Sequence, residues 1–253
     1  MPTILITGAA SGIGAASARL FHAQGWTVGL LDMNEAALHD LAQALGGAWQ
    51  RTLDVTDAVA VQAAIAAFAE ANNGQLRLLF NCAGILRFGH FETISLEEHA
   101  RIIAINVQGV LNCSYAAFPY LRKTPGAQIL NMGSASGLYG VPHMASYSAS
   151  KFAVRGLTEA LELEWRSYGI RVADLMPPFV GTPMVASQTF TPPILKRLGV
   201  NLKAEHIARA AFDQAQRAGV HRPISALFKA MYWSAQLSTP GLNRLVMRWL
   251  SRD

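Results

Sequence analysis

Short apolar runs alternate with longer alanine-rich stretches along the first two thirds of the chain. The short runs, rich in leucine and β-branched residues, predict strands at 3–7, 27–32, 48–54, 77–81, 127–132 and 170–176. The longer stretches predict helices near 12–24, 34–45, 57–72, 96–122 and 146–168. Several strands are apolar on both faces, as in Leu78-Leu79-Phe80. Strands buried on both faces and separated by helices form parallel sheets, so the pattern predicts an α/β fold with one doubly wound parallel sheet.

The pattern changes after the sixth predicted strand. Five prolines fall within 177–200, and the next helical pattern is 203–217. A long irregular stretch inside a compact α/β domain is usually functional, so we expect 183–200 to form a lid over a binding site. Residues 226–250 predict two short helices separated at Thr239-Pro240-Gly241. We therefore divide the chain into one domain of residues 1–225 and a helical extension of residues 226–253.

The composition indicates a globular interior. Hydrophobic residues make up 51% and charged residues 15% of the 253 residues. The N-terminus carries no basic stretch followed by an apolar region, and no window of about 18 uninterrupted apolar residues occurs. Cys82 and Cys113 lie in apolar segments and are expected to be reduced core residues. We therefore expect a cytoplasmic protein.

The net charge of +5 leaves three interpretations open. An excess of lysine and arginine suits an anionic cofactor, an anionic membrane surface, or only ordinary variation of surface charge. The basic residues form no dense patch with interleaved aromatic side chains, so nucleic acid is not an expected partner. The seven histidines show no metal-ligand spacing, and we expect no metal.

A glycine-rich loop follows the first predicted strand. The loop Thr7-Gly8-Ala9-Ala10-Ser11-Gly12-Ile13-Gly14 leads directly into a helix. Glycines at such a turn let the backbone approach a pyrophosphate, which then lies at the positively polarised N-terminus of the helix. The loop therefore predicts a Rossmann-type domain that binds a dinucleotide through Gly8, Ser11, Gly12, Ile13 and Gly14. Turn glycines without a ligand are the alternative.

Asp32 closes the second predicted strand, 18 residues after Gly14. At this position a carboxylate can accept hydrogen bonds from the hydroxyls of an adenosine ribose. The same charge repels a 2′-phosphate, and the next residue, Met33, offers no guanidinium to bind one. NAD(H) is therefore favoured over NADP(H). The alternative for Asp32 is a helix N-cap, a role for which Asn34 competes.

Tyr147 and Lys151 are four residues apart on a predicted helix, so their side chains share one face. A free phenol has a pKa near 10 and is a poor base at neutral pH. A cation within about 4–6 Å lowers the pKa of a phenol by roughly 1–3 units. Lys151 can therefore make Tyr147 a proton donor and acceptor for an alcohol oxygen. Taken alone, this spacing also occurs on helix surfaces.

Together these motifs resemble the short-chain dehydrogenase/reductase family, whose T-G-x-x-x-G-x-G loop matches residues 7–14 fully. The resemblance extends over about 185 residues of the chain. It implies that Ser134 hydrogen-bonds the substrate oxygen, that Asn106 holds a water in the proton relay, and that Lys151 also binds the nicotinamide ribose. By this resemblance Asn106, Ser134, Tyr147 and Lys151 are the catalytic residues of an oxidoreductase that acts on CH–OH groups.

The resemblance also implies further cofactor contacts. Asp54-Val55 resembles the adenine contact of the family, and Asn81-Cys82-Ala83-Gly84 resembles its N-N-A-G signature with cysteine as the second residue. Val180-Gly181-Thr182 resembles the segment that contacts the nicotinamide carboxamide, although Pro178 replaces the glycine that often follows Pro177. The implied cofactor-binding residues are those of the glycine loop together with Asp32, Asp54, Val55, Asn81, Ala83, Gly84, Tyr147, Lys151, Pro177, Val180 and Thr182.

The substrate positions implied by the family topology are mostly apolar. They are Ser134, Ser136, Leu138, His143, Tyr147 and Phe179, with Leu86, Phe88, Tyr139, Met144 and 183–200 as further candidates. Such a lining suits a hydrophobic secondary alcohol and its ketone. The two would be interconverted by hydride transfer with NAD(H), while Tyr147 moves the hydroxyl proton.

The C-terminal extension departs from the resemblance. Many tetrameric members end in a strand with a glycine-rich tail, which this sequence does not predict. We expect a homodimer, with dimer versus tetramer left open. An apolar stripe runs along the last helix, flanked by arginines: the stripe is Leu242, Leu245, Val246, Trp249 and Leu250, and the arginines are Arg244, Arg248 and Arg252. This helix could rest in a membrane interface, or pack on its own domain, on the pocket or across a dimer.

Two other functions stay open. One is an NADPH-dependent reductase, which Asp32 disfavours. The other is a sensor that binds the dinucleotide without catalysis, which the presence of all four implied catalytic residues disfavours. Ser134 lacks a nucleophile-elbow pattern, so hydrolase chemistry is not expected.

Overall fold

The computed structural model describes residues 1–237 and 240–251, where strands and helices alternate as predicted. The strands are β1 (Thr3–Thr7), β2 (Thr27–Asp32), β3 (Trp49–Thr52), β4 (Leu78–Asn81), β5 (Gln128–Met132), β6 (Arg171–Met176), β7 (Val180–Gly181), β8 (Leu202–Lys203) and β9 (His221–Pro223). The helices are α1 (Gly12–Ala23), α2 (Glu35–Ala44), α3 (Ala58–Glu70), α4 (Leu96–Ile103), α5 (Gly109–Leu121), α6 (Ala145–Trp165), α7 (Pro183–Ala186), α8 (Pro193–Leu198), α9 (Ala204–Gln214), α10 (Ala226–Leu237) and α11 (Pro240–Leu250).

Seven of the described strands form one parallel sheet in the order β3-β2-β1-β4-β5-β6-β9. Every residue of β1 is buried, because helices cover both faces of the sheet. Its side chains alternate between two apolar clusters: Ile4 and Ile6 pack with Phe21 of α1, and Leu5 packs with Phe68 of α3. The predicted doubly wound Rossmann-type fold is confirmed.

The strand order reverses between β1 and β4, which places the binding crevice. The chain runs from β1 outward to β3 and then returns to the other side of β1, where Thr7 pairs with Asn81. The loops after β1 and β4 therefore leave the sheet side by side. The Thr7 hydroxyl oxygen accepts the backbone N–H groups of Cys82 and Ala83, both at 3.1 Å, and this fixes the two loops to each other.

A short seventh strand, β9, corrects the expectation that the chain lacks a final strand. It pairs in parallel with β6, with Asp174 opposite His221. Asp174 is fully buried, and both of its carboxylate oxygens lie 3.0 Å from His221 Nδ1. His221 Nε2 lies 2.9 Å from Glu159 on α6. A buried carboxylate requires such a partner, so a side-chain pair that periodicity does not reveal fastens this edge of the sheet.

The predicted lid, 183–200, is more regular than expected. It contains the short helices α7 and α8, each with a proline in its first turn, Pro183 and Pro193. Proline fixes the backbone in a helix-compatible angle at that position and lacks only an N–H group that would be unpaired there anyway. The same prolines that interrupt a sequence pattern therefore begin these helices.

One helical run, Leu96–Leu121, is long and apolar enough to cross a membrane by length and composition alone. Half of its most apolar window is buried inside the fold. Asn106 and Ser114 within it make hydrogen bonds to groups in the loop after β4 and in β4 itself. Its buried polar groups thus have partners within this domain, as in a core helix.

The two helices predicted within 226–250 are present, and both pack on the domain. Helix α10 buries Phe228 and Tyr232 beside Met176 of β6, and α11 buries Met247 and Leu250 beside Ile194 of α8. The predicted apolar stripe is divided between core and surface, because Leu250 is buried whereas Leu245, Val246 and Trp249 are exposed. Thr239, Arg252 and the side chains of Leu242 and Arg244 lie outside the described residues.

Candidate active site

A cavity of about 340 Å³ opens at the carboxyl ends of β1, β4, β5 and β6. Its size lies within the range of small-molecule and cofactor sites. One end is formed by the glycine loop and the other by the lid. The cavity brings together most predicted site residues, namely Gly8, Ser11, Gly12, Ile13, Gly14, Asp32, Asp54, Val55, Ala83, Gly84, Ser134, Ser136, Tyr147, Lys151, Pro177, Phe179, Val180 and Thr182.

The glycine loop forms a tight cradle at the start of α1. A Cβ atom on Gly14 would lie 2.0 Å from the carbonyl oxygen of Gly8, and one on Gly8 would lie 2.8 Å from the Cα of Ala83. Ser11, the N-cap, makes no side-chain capping bond within the described chain, and the first turn of α1 contains no acidic residue. The positive end of the helix is therefore left without a protein anion, which fits an anionic pyrophosphate.

Asp32 lies at the end of β2 with its carboxylate held by backbone groups. Oδ2 accepts the N–H of Ala10 at 3.0 Å, and Oδ1 accepts the N–H of Asn34 at 2.9 Å. Asn34 is the N-cap of α2 and accepts the N–H of Ala37, so the alternative interpretation of Asp32 as that cap is wrong. Each oxygen of the fixed carboxylate can accept a further hydrogen bond, and Asp32 lines the cavity, which fits the hydroxyls of a ribose.

Tyr147, Lys151 and Ser134 converge from two elements. Helix α6 carries Tyr147 and Lys151, and Ser134 follows β5. Lys151 Nζ donates a hydrogen bond of 2.8 Å to the carbonyl oxygen of Met132 and lies 5.4 Å from the centre of the Tyr147 ring. The side chains of Tyr147 and Ser134 are hydrogen-bonded to each other. The end of β5 therefore holds both the ammonium group and the hydroxyl group beside the phenol.

Burial shifts the pKa values of this pair in opposite directions. It raises the pKa of Tyr147 to about 12, an effect that the hydrogen bond from Ser134 opposes only in part. It lowers the pKa of Lys151 to about 8. The protein groups alone therefore do not give Tyr147 the lowered pKa that was expected from Lys151, because desolvation of the phenolate is the largest contribution.

Asn106, which was predicted to be catalytic, is not among the residues that line the cavity, but it connects three segments around it. It lies in a π-helical turn, Ala104–Gln108, between α4 and α5 and is fully buried. Its Oδ1 accepts the N–H of Ile85 at 2.8 Å, while Nδ2 donates to the carbonyl oxygen of Ile85 and to Ser150 Oγ, both at 3.0 Å. Asn106 thus holds the loop after β4 against α6. The water that the resemblance implies at Asn106 stays a prediction.

Asn81, which was predicted to contact the cofactor, lies outside the cavity. Its side-chain amide donates to Asn131 Oδ1 at 2.9 Å and to Ser114 Oγ at 3.2 Å. It thus joins β4 to β5 and to α5 in the centre of the sheet. The reason is strand alternation, since Asn81 points into the layer below the crevice while the following loop forms the crevice wall.

Three predicted substrate residues also lie outside the cavity. One is Phe88, which is buried in the apolar cluster that includes Ile194 of the lid. Leu138 follows the 3₁₀ turn after Ser134 and packs in the apolar cluster beneath α10. His143 adopts a positive φ of 65°, which turns its ring toward His90 at 4.7 Å and Phe190 at 5.0 Å between ring centres. The loop between β5 and α6 therefore presents its alternate residues, Tyr139 and Val141, to the cavity.

The apolar end of the cavity includes residues that the sequence analysis did not name individually. Some belong to the predicted lid, 183–200, and others were missed. They are Val141, Met184, Val185, Ile194 and Leu198, which join the predicted Leu86, Tyr139 and Met144. Arg101 and Ile105 were also missed. The two residues are one helical turn apart and precede Asn106 in the chain. Once Asn106 is placed near the site, helical spacing is the signal that could have identified them.

A single side chain fastens the lid across the cavity. Gln188 Oε1 accepts the N–H of Phe88 at 3.0 Å, and Nε2 donates to the carbonyl oxygens of Leu86 at 3.1 Å and Met184 at 3.0 Å. Phe88 and Leu86 belong to the loop after β4, about a hundred residues away along the chain. The lid is therefore tied to the opposite wall of the cavity by backbone hydrogen bonds rather than by side-chain packing alone.

Comparison with known proteins gives consistent matches. A family profile described as short chain dehydrogenase matches residues 2–192. The 2,5-dichloro-2,5-cyclohexadiene-1,4-diol dehydrogenase LinX of Sphingobium indicum is 39% identical over 197 residues, which cover 76% of this chain and 78% of that protein.

Two solved structures have the same fold. A short chain dehydrogenase/reductase from Burkholderia phymatum in complex with NAD superposes with a TM-score of 0.81 at 29% identity, covering 93% of this chain and 92% of the other. An alcohol dehydrogenase from Thermococcus sibiricus complexed with 5-hydroxy-NADP superposes with a TM-score of 0.75 at 27% identity, covering 88% and 95%. The similar structures thus include complexes with both types of nicotinamide cofactor.

Proposed function

The chain belongs to the short-chain dehydrogenase family, and from that premise we propose that it is an NAD(H)-dependent oxidoreductase that interconverts a hydrophobic secondary alcohol and its ketone. The observation that carries the proposal is the convergence of Tyr147, Lys151 and Ser134 on the cavity that also contains the glycine loop and Asp32. Family membership supports nicotinamide-dependent chemistry on a CH–OH group. The choice of cofactor and substrate rests on the residues of this chain.

The residues of the chain handle the proton of the reaction. A bound nicotinamide supplies the hydride acceptor or donor. Tyr147 takes the hydroxyl proton during oxidation and returns it during reduction, and Ser134 stabilises the developing charge on the substrate oxygen by hydrogen bonding. Because the pKa of Tyr147 is raised to about 12 among protein groups alone, the phenolate needs a positive charge beyond that of Lys151. The oxidised nicotinamide ring carries such a charge.

The preference for NAD(H) rests on Asp32. Its carboxylate is fixed by two backbone hydrogen bonds and lines the cavity beside Met33. A 2′-phosphate at this point would meet a negative charge that cannot turn away, whereas ribose hydroxyls would donate to it. This supports NAD(H) as the cofactor.

The hydrophobic substrate is supported by the charge-free lid end of the cavity. Among the described residues, those contributed by the end of β6 and by the lid carry no charged side chain; they are Pro177, Pro178, Phe179, Val180, Thr182, Pro183, Met184, Val185, Ile194 and Leu198. An anionic substrate would leave its charge unpaired there. A compact cyclic or branched secondary alcohol fits this chemistry, and the relative from Sphingobium indicum is named for a cyclic diol.

A homodimer is supported by exposed apolar residues on two neighbouring helices. Leu111 and Tyr115 are one turn apart on α5, and Phe152 and Leu163 share one face of α6. A twofold axis would bring the same apolar patch of two copies together and remove it from water. Light scattering of the purified protein tests this, since a monomer mass would contradict it. The cytoplasmic location stays a prediction.

The experiment that tests the function is NADH formation from NAD⁺ with a panel of hydrophobic secondary alcohols, including cyclohexanol, with NADP⁺ in parallel. Tyr147→Phe is expected to lower turnover by about 10²- to 10⁴-fold while NADH binding is kept. Tyr168→Phe, at an exposed tyrosine, is the matched control. Wild-type turnover in Tyr147→Phe would contradict the mechanism, and a preference for NADP⁺ would contradict the cofactor. NADH binding without turnover of any alcohol would favour a sensor instead.

A further inference from the structure

The two C-terminal helices turn apolar side chains toward the solvent. We call the following residues the C-terminal face; each is between 42% and 90% exposed, and they are Leu227, Trp233, Leu237, Leu245, Val246 and Trp249. A surface helix normally places polar residues outward. The outward side of these helices is therefore unlike the surface of an ordinary monomeric domain.

Helix α10 has an outer side without any charge. Phe228 and Tyr232 are buried on its inner side. Leu227, Trp233 and Leu237 lie on the opposite side, together with small residues, and they span about a third of the helix circumference at 100° per residue. The only charged residue of α10, Lys229, is exposed at the margin of this apolar arc. The large exposed apolar residues of α10 therefore lie on one side of the helix.

Helix α11 repeats this arrangement. Met247 and Leu250 are buried, whereas Leu245, Val246 and Trp249 form its outward side with Arg248 at the margin. The guanidinium of Arg197, on α8, lies 5.4 Å from the centre of the Trp249 ring and hydrogen-bonds the carbonyl oxygen of Trp249. A cation is thereby fixed against the apolar side of this helix.

The positive charge of the chain is concentrated in this region. Residues 226–253 contain four lysines and arginines and one aspartate, which gives them a charge of +3. The other 225 residues contain 17 basic and 15 acidic residues and carry +2, so this short segment accounts for more than half of the excess. A protein partner for such a surface would need matched acids at many positions, whereas an anionic bilayer presents negative charge everywhere.

We propose that α10 and α11 bind the surface of an anionic lipid bilayer, with the C-terminal face inserted at the level of the headgroups. Apolar side chains that include two tryptophans, flanked by lysine and arginine, are the combination that holds a helix in a membrane interface. This binding does not depend on the proposed enzymatic activity.

The proposed membrane surface adjoins the cavity. Met247 and Leu250, on the inner side of α11, pack with Ile194, and Ile194 lines the lid end of the cavity. The inner side of α11 and the lid end of the cavity wall therefore belong to one apolar cluster. If the proposed function holds, a hydrophobic alcohol dissolved in the bilayer would be close to this end of the site.

The test is co-sedimentation of the full chain with vesicles of phosphatidylcholine alone and of phosphatidylcholine with phosphatidylglycerol. We expect binding to the anionic vesicles, and quenching of tryptophan fluorescence when the lipids carry bromine on their acyl chains. The triple substitution Trp233→Ser, Leu245→Ser, Trp249→Ser is expected to abolish both. The pair Lys229→Gln, Arg248→Gln is expected to weaken binding by roughly thirtyfold, the combined effect of two cations near an anionic surface.

The matched control is Val59→Ser together with Leu96→Ser, which removes comparably exposed apolar residues from α3 and α4. This control should bind vesicles like the wild type. NADH titration and thermal unfolding check that each variant is folded. No binding of the wild type to anionic vesicles, or equal binding of the triple variant, would overturn the proposal. The proposal would also be overturned if the wild type did not bind vesicles and the oligomer mass fell in the triple variant. That result would mean that the C-terminal face contacts a second copy of the chain.

Discussion

Replacing Lys151 with methionine is expected to stabilise the fold at neutral pH while it abolishes catalysis. Burial lowers the pKa of Lys151 from 10.5 to about 8, a difference of about 2.5 units or about 3 kcal/mol of cost for keeping the ammonium ion buried. Methionine removes that cost but also removes the 2.8 Å hydrogen bond to the carbonyl oxygen of Met132, which is worth about 1.5–3 kcal/mol. The net gain is about 1 kcal/mol, or about 2–4 °C in Tm for a chain of this length.

The sign of this difference should reverse at alkaline pH. The pKa of Lys151 is lower in the folded than in the unfolded chain, so between about pH 8 and pH 10.5 the unfolded chain binds more protons. The contribution of Lys151 to the free energy of unfolding of the wild type therefore rises by about 1.4 kcal/mol per pH unit in that window. This contribution is lost as the pH falls through about 8. At pH 9.5 the wild type has gained about 2 kcal/mol, and the variant becomes the less stable protein by about 1 kcal/mol.

Urea unfolding of both proteins at pH 7 and pH 9.5 measures the reversal, because the difference between them cancels the other titrating groups. Lys196→Met is the matched control: Lys196 is exposed, and its replacement should give a difference that does not change with pH. A Lys151→Met protein that is less stable at pH 7 by an amount independent of pH would refute the reasoning. Such a result would mean that the ammonium group is solvated or paired in the folded protein.

Three further substitutions test the cofactor and lid assignments. Asp32→Ala removes the charge that would repel a 2′-phosphate, so the ratio of kcat/KM for NAD⁺ to that for NADP⁺ should fall by at least about tenfold, and an unchanged ratio would contradict the assignment. Gln188→Ala removes the two hydrogen bonds that fasten the lid to the loop after β4, so KM for the alcohol should rise while the Kd for NADH stays the same; equal changes in both would point to general destabilisation. Gly14→Ala places a Cβ 2.0 Å from a carbonyl oxygen of its own loop and should weaken NADH binding in a fluorescence titration, whereas Gly156→Ala, with open space around it, should not.

The parallel sheet could be predicted because its strands are buried on both faces and because each is followed by a helix of suitable length. The edge strand β9 could not. It has three residues, one of them Pro223, and so carries no periodic signal. Its position depends on the pairing of His221 with the buried Asp174, which are 47 residues apart in the chain. Such a pair is visible only after the strands are in place.

The site was predictable where its residues directly follow strands or lie at fixed spacing on one helix. Parallel strands bring their carboxyl ends to one edge, so the glycine loop, Asp32 and Ser134 must lie near one another once the sheet is known. The loop between β5 and α6 was not predictable in the same way. A 3₁₀ turn after Ser134 and the positive φ of His143 decide which side chains face the cavity, and neither has a periodic pattern in the sequence.

Burial disfavours the charged forms of Tyr147 and Lys151. The reactivity of this pair therefore depends on a further positive charge in the site. Among protein groups alone, the phenol holds its proton up to a pKa of about 12, and the ammonium group loses its proton with a pKa of about 8. Near neutral pH the pair is therefore a neutral phenol beside a cation, and it does not act as a base. A further positive charge placed beside the phenol in this dry site would act through a low dielectric and lower the pKa of Tyr147 strongly. In the proposed mechanism, proton removal from the alcohol would thus be tied to the oxidised, positively charged state of the cofactor, and the reverse transfer would be favoured once hydride had neutralised that charge.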